Sequence, residues 1–242
     1  MIAIFKREFR AYLNSFIAFL AIGIFLIVSG LFLWVFTGNS VFNTGYADMR
    51  VFFNLVPFLY ILLIPALGMQ SIAEERKEET LLILITKPIR LNEIVYGKFL
   101  AILAILGLAL FLSFGNVIAL WYLGNPVGNL DMAAILSSYI GLLLVGMVFI
   151  AVSLFASACV SNQMIAFVAG AFVCFILFYA GNYLGEYFEG SRLGDVLNYL
   201  NIRSHFQAMA RGLIDLSDVF FMISLMVLFL ISTTTILKIR KW

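Results

Sequence analysis

Long apolar stretches, separated by short polar and charged connections, make up most of the chain. Residues 11–47 and 132–185 contain no Asp, Glu, Lys, Arg or His. A hydrocarbon core of about 30 Å needs roughly 20 apolar residues per helix, so the second stretch is long enough for two helices. The pattern predicts an all-α polytopic membrane protein with six transmembrane helices. The predicted spans are about 15–36, 51–72, 94–123, 133–158, 163–184 and 219–237.

The chain 1–242 is predicted to form one transmembrane domain, with an outer segment at 185–218 before the last span. A cleavable signal peptide is the alternative for the first apolar stretch. Such a peptide has an apolar core of about 7–15 residues and small residues at its cleavage site. This stretch is longer and ends in bulky residues, 33–36, so an uncleaved helix is favoured.

Residues 1–13 predict a short helix that lies in the membrane interface and precedes the first span. Two aromatic side chains fall on one helical face and basic side chains on another. The candidate residues of this interfacial helix are Phe5, Lys6, Arg7, Phe9 and Arg10.

The distribution of Lys and Arg predicts the orientation. Six spans place both chain ends on one side, and eleven of the 15 Lys and Arg residues fall at the two ends and in the 73–98 connection. Cytoplasmic loops accumulate these residues. Both termini are therefore expected in the cytoplasm, with the chain in the inner (cytoplasmic) membrane of a bacterium.

Composition and residue chemistry exclude several function classes. Hydrophobic residues make up 64% of the chain and charged residues 12%, whereas soluble proteins carry roughly a quarter charged residues. The net charge of +2 leaves no basic surplus for a nucleic acid partner. The two cysteines, Cys159 and Cys174, lie in apolar stretches and fit neither a disulfide framework nor a zinc site.

The predicted spans also lack the groups that catalysis would need. No acidic or basic residue lies away from a span end, the single histidine falls in the outer segment, and no phosphate-binding GxxxxGK[ST] motif occurs. We expect no metal or cofactor on this chain and no ATP hydrolysis by it alone. An intramembrane enzyme is thereby disfavoured.

One connection, the elbow at 73–93, carries much of the charge. An acidic and basic run continues the second span, and an apolar run 81–85 precedes Pro88. Proline disfavours helix in the residue before it, so a short helix is expected to end near Thr86. Asn92 is the expected N-cap of the third span. An ordinary charged loop with an interfacial segment is the alternative interpretation of this connection.

The order of these motifs resembles the type-2 ATP-binding-cassette (ABC) export permeases. The similarity extends over most of the chain, and the pieces 45–48 and 63–67 are similar to gliding-motility-associated permease subunits. The other matching pieces are residues 5–9, 73–81, 84–89, 93–99, 204–206, 212–216 and 218–219.

This resemblance implies a permease that pairs with a second permease subunit, different or identical, and docks on two copies of a separate ABC ATPase. ATP and Mg²⁺ would bind that ATPase. A coupling helix would occupy about 80–86 and be reached through 74–79. The implied coupling residues are Glu74, Glu75, Arg76, Glu78, Glu79, Thr80, Leu81, Leu84, Thr86, Lys87 and Pro88.

The resemblance also bears on the outer segment 185–218, which is similar to the short re-entrant helices before the family's last span. Its basic residues Arg192, Arg203, His205 and Arg211 could meet an anionic substrate, although a solvated outer surface is favoured. The function expected overall is the permease subunit of an ATP-driven exporter linked to gliding motility or the cell envelope. A membrane scaffold or assembly anchor without transport is the second hypothesis. The cargo is not indicated.

Overall fold

The computed structural model describes residues 1–36, 38, 40–46, 48–77, 90–181, 183, 187, 191 and 199–239. Within these ranges the chain is helical and contains no β-strand. The helices are α1 (Ile2–Leu13), α2 (Phe16–Leu31), α3 (Val41–Thr44), α4 (Arg50–Lys77), α5 (Leu91–Leu123), α6 (Met132–Cys159), α7 (Gln163–Phe175), α8 (Ile202–Ala210) and α9 (Leu216–Ile239). Two π-helical turns, Phe32–Phe36 and Ile176–Ala180, continue α2 and α7.

Six helices in the described part of the chain are long and apolar enough to cross a membrane. They are α2 and α7 with their continuations, together with α4, α5, α6 and α9. The all-α prediction with six spans is thus confirmed. Helix α4 continues beyond the predicted span end at 72, so residues 74–77 extend the same helix.

Polar side chains define several helix starts. Ser15, Asp131 and Asn162 occupy the N-cap positions of α2, α6 and α7, and each accepts a hydrogen bond from a backbone N–H of the first turn. The prediction of Asn92 as the N-cap of α5 is wrong. The helix begins two residues earlier, because the Glu93 N–H already bonds to the carbonyl oxygen of Arg90.

Helix α6 is the centre of the bundle and packs against α4, α5, α7, α8 and α9. Small residues permit the closest approaches. A Cβ added to Gly68 of α4 would collide with the Ser153 side chain of α6, and one added to Gly170 of α7 would contact Pro65. In contrast, α2, α7 and α9 keep much of their apolar surface exposed, as helices that face lipid do.

Helix α1 packs against the bundle with a second face in addition to its aromatic one. Ile4, Glu8 and Tyr12, spaced four residues apart, are buried, and α1 packs chiefly along α5. Gly97 of α5 permits this contact, because a Cβ at that position would lie 2.7 Å from Ile4 Cγ2. Helix α1 is therefore docked on the bundle at the end where α4 stops and α5 starts.

Candidate functional site

Four charged side chains from three helices meet where α1 crosses the ends of α4 and α5. Arg7 and Glu8 come from α1, Glu75 from the last turns of α4, and Lys98 from the second turn of α5. We call these four residues the charge cluster. It lies beside the two ends of the connection between α4 and α5, which is the elbow identified from the sequence.

Lys98 is the buried centre of the charge cluster, with 1% of its surface exposed. Its Nζ donates to the Ser71 carbonyl oxygen at 2.6 Å, and lies 2.9 Å from Glu75 Oε1 and 3.4 Å from Glu8 Oε1. A lysine ammonium has three donors, so these three oxygens satisfy it. Lysine is almost never this buried unless it is paired. Lys98 therefore holds α5 to both α4 and α1.

Arg7 lies on the solvent-exposed side of the charge cluster. Its Nη2 lies 2.9 Å from Glu75 Oε1 and also pairs with Glu8. Burial alone would lower the pKa of the Arg7 guanidinium, but the two carboxylates outweigh that effect and raise it. The charge cluster thus contains two cations and two anions, and its formal charges balance.

Tyr12 extends the same junction one helical turn further along α1. Its hydroxyl donates to the Leu67 carbonyl oxygen of α4 at 3.0 Å. Burial raises the pKa of Tyr12 far above its ordinary value, and the nearby carboxylates Glu8, Glu75 and Glu74 add to the rise. The hydroxyl therefore stays neutral and remains a donor.

The end of α4 is also bound to α6. Ser157 Oγ accepts from the backbone N–H groups of Ile72 and Ala73 at 3.2 and 2.9 Å, and donates to the Met69 carbonyl oxygen at 3.2 Å. A side chain that enters the backbone ladder in this way is a recognised cause of helix bending. One turn later, Arg76 Nη1 donates to the Ala158 carbonyl oxygen at 3.1 Å. The charged extension of α4 is therefore fixed from three sides, by α1, α5 and α6.

The structure describes only some of the residues predicted to act in coupling. Glu75 and Arg76 bind neighbouring helices as above, and Glu74 is half-buried beside a cleft of about 320 Å³ that Arg7 and Lys98 also line. The remaining predicted coupling residues lie outside the described residues: Glu78, Glu79, Thr80, Leu81, Leu84, Thr86, Lys87 and Pro88.

The predicted interfacial residues of α1 divide between two environments. Lys6 and Arg10 are exposed, whereas Phe5 and Phe9 are half-buried and stack with ring centroids 5.7 Å apart. Arg7, also predicted to be interfacial, pairs with Glu8 and Glu75 and so belongs to the charge cluster.

Sequence reasoning missed Glu8 and Lys98 as members of the site. A signal for Glu8 was present, since Ile4, Glu8 and Tyr12 recur every four residues and so share one helical face. Lys98 was visible as a charge near the start of the third predicted span. Its partners lie on separate helices, however, so only the tertiary structure identifies them.

The opposite end of the bundle holds a larger cavity of about 1230 Å³. Its lining combines aromatic and apolar side chains with charges of both signs, among them Trp34, Phe42, Arg50, Asp131 and Arg211. His205 lies near this end but is not part of a solvated surface, so that expectation is wrong for this residue. It is buried, with Nδ1 2.6 Å from Asp218 Oδ1 and Nε2 2.7 Å from the Tyr199 carbonyl oxygen, so both ring nitrogens have a partner inside the protein.

Comparison with known proteins adds one finding. A family model described as ABC-2 family transporter protein matches residues 38–238. No curated protein matches the chain. Within the described ranges, no group of three or more His, Cys, Asp or Glu side chains is placed to hold a metal ion.

Proposed function

The chain belongs to the ABC-2 transporter family, and from that premise we propose that it is the membrane-spanning permease of an ATP-driven exporter. As a family member it is a multi-pass transport component that is not itself catalytic, and it works with an ABC ATPase. The proposal adds the direction of transport, a bacterial inner membrane, ATP and Mg²⁺ bound on the partner, and two ATPase copies beneath a pair of permeases.

The observation that carries the proposal is the pairing of Glu75 with Lys98 at 2.9 Å. This pair joins the end of α4 to the start of α5, on the two sides of the elbow. A force applied to the elbow would therefore move both helices together instead of bending either one alone. Closely packed helices transmit such displacements because packed cores deform little.

Helices α1 and α6 are also joined to the end of α4 and the start of α5. Arg7 and Glu8 bring α1 into the charge cluster, and the Arg76 contact with Ala158 links the α4 extension to α6. We propose that closure of the ATPase is passed through the elbow to the α4 and α5 ends, and from there to the central helix α6.

ATP hydrolysis by the assembled complex tests this proposal. The full chain is purified with the ABC ATPase that accompanies it and is reconstituted in lipid nanodiscs. The double substitution E75Q/K98M removes one charge of each sign, so the charge cluster stays balanced while the tie between α4 and α5 is lost. We expect the permease-dependent part of ATP turnover to fall by at least roughly fivefold, the lower end of typical coupling effects.

The matched control is D48N/R50M, which removes an exposed ion pair of 2.9 Å at the opposite end of the bundle. Its turnover should equal that of the wild type. If E75Q/K98M also retained full turnover in an intact complex, the coupling proposal would be wrong. If the wild-type chain had no effect on turnover, the scaffold hypothesis would replace the exporter.

A narrower proposal links the exporter to gliding motility or another cell-envelope process. It rests on the sequence likeness at 45–48 and 63–67 and on family membership. Deletion of the gene should abolish surface gliding, and restoration by the wild type but not by E75Q/K98M would support the link. Normal gliding in the deletion strain would refute it.

A further inference from the structure

Helix α8 is fixed on one side to the central helix of the bundle. Ser137 Oγ of α6 donates to the Met209 carbonyl oxygen at 2.7 Å. Gly141 of α6 lets α8 come close, because a Cβ there would lie 3.1 Å from Phe206 Cδ2 and 3.3 Å from Met209 Cβ. On its other side α8 meets the first turns of α9, and the contact is made by His205.

Both ring nitrogens of His205 face oxygen acceptors. Nδ1 lies 2.6 Å from Asp218 Oδ1 of α9, and Nε2 lies 2.7 Å from the Tyr199 carbonyl oxygen. The His205 ring stacks on Phe221 with centroids 4.4 Å apart, and the Tyr199 ring packs edge-on at 5.6 Å. His205 is 6% exposed and Asp218 is 8% exposed, so little water competes for these bonds.

This geometry fixes the number of protons at the site. A backbone carbonyl only accepts, so Nε2 must carry a hydrogen. A separation of 2.6 Å between Nδ1 and the carboxylate oxygen requires one more hydrogen between them. We propose that His205 and Asp218 form a proton-binding site, in which one shared proton holds α8 to the start of α9. The proton count is the same whether it is drawn on Nδ1 or on the carboxylate.

Loss of that proton would place the Nδ1 lone pair against a carboxylate. It would also leave one net negative charge among aromatic rings, which is costly in a buried site. The link between α8 and α9 is therefore closed when the proton is bound and weakened when it leaves. In the unfolded chain at neutral pH and above, histidine is mostly neutral and aspartate is ionised. The folded site holds one proton more than the unfolded chain does, so the free energy of unfolding must fall as pH rises.

The neighbouring elements contribute no competing charge in contact with the His205 ring among the described residues. Helix α6 presents Ser137 and Gly141 to α8. On α8 itself, the Arg203 guanidinium lies over the Tyr179 ring of the π-helical turn, at 5.4 Å. In the loop before α9, Asp215 accepts from the Ser217 N–H at 3.1 Å. Asp218 is thus the charged partner of His205, and the inference stands apart from the proposed transport function.

Thermal unfolding of the full chain in lipid nanodiscs, measured between about pH 7 and about pH 9, tests the inference, because the unfolded histidine is mostly neutral and the unfolded aspartate ionised over that range. The wild-type unfolding temperature should fall by several degrees as pH rises. In D218N the amide N–H donates to Nδ1 of a neutral imidazole, so the link closes without the shared proton. D218N should keep its unfolding temperature at high pH and lose the pH dependence.

D215N is the matched control, since it removes a carboxylate three residues away that does not face the imidazole. Its pH dependence should equal that of the wild type. Equal pH dependence in the wild type and D218N would overturn the inference.

Discussion

Lys98 is almost fully buried, and each of its three ammonium donors meets an oxygen acceptor from α1 or α4. A buried ionic group of this kind adds little net stability over apolar packing of the same volume, because desolvation offsets the attraction between charges. Its main effect is on geometry. The charge cluster specifies which turns of α1, α4 and α5 face one another, and this is the property that a coupling joint requires.

Removal of the Lys98 charge alone should be costly, because the desolvated carboxylates would lose one of their two cations. K98M leaves Glu8 and Glu75 with Arg7 as their remaining cation, so it should lower the free energy of unfolding by about 3–5 kcal/mol, as removal of one partner of a buried pair does. E75Q/K98M restores the balance of charge and should recover most of the loss. Thermal unfolding in detergent measures both variants. A double substitution as unstable as K98M alone would contradict the account.

At the scale of the elements, hydrophobic patterning could predict the helices but not the contacts between them. The six spans follow from apolar length, and the charged extension of α4 follows from a run that continues the second span. The docking of α1 was missed because an interfacial helix and a docked helix share the same amphipathic pattern. The burial of His205 was missed because its partner, Asp218, lies on the next helix.

The close packing of α1 on α5 depends on the missing side chain of Gly97. In G97A the new Cβ would overlap the Ile4 side chain and push α1 away from α5, thereby loosening the charge cluster. Hydrogen exchange of the α1 amides should increase, since they would be released from a packed face. G107A is the matched control, because the same change on the same helix meets nothing within 4 Å. Equal α1 exchange in both variants would show that close α1 packing does not depend on this glycine.

For the whole molecule, six spans place the charge cluster at one end of the bundle and the His205–Asp218 pair at the other. The end that carries the charge cluster also holds α1, the last turn of α4, the first turn of α5 and Lys238 in the last turn of α9. Most Lys and Arg residues fall in or next to these segments of the sequence. Orientation therefore determines which of the two sites an ATPase in the cytoplasm can reach. The Lys and Arg bias predicts that it is the charge cluster.

Cysteine labelling tests this orientation directly. In a background with Cys159 and Cys174 replaced by Ala, single cysteines are introduced by K77C at the end of α4 and by V127C in the α5–α6 connection, both exposed positions. A membrane-impermeant maleimide should label V127C in intact cells, and should label K77C only after the membrane is opened. Labelling of both variants in opened membranes confirms that each cysteine is reactive. The reverse pattern would place the elbow outside the cell, where no cytoplasmic ATPase could act on it, and the coupling proposal would fail with it.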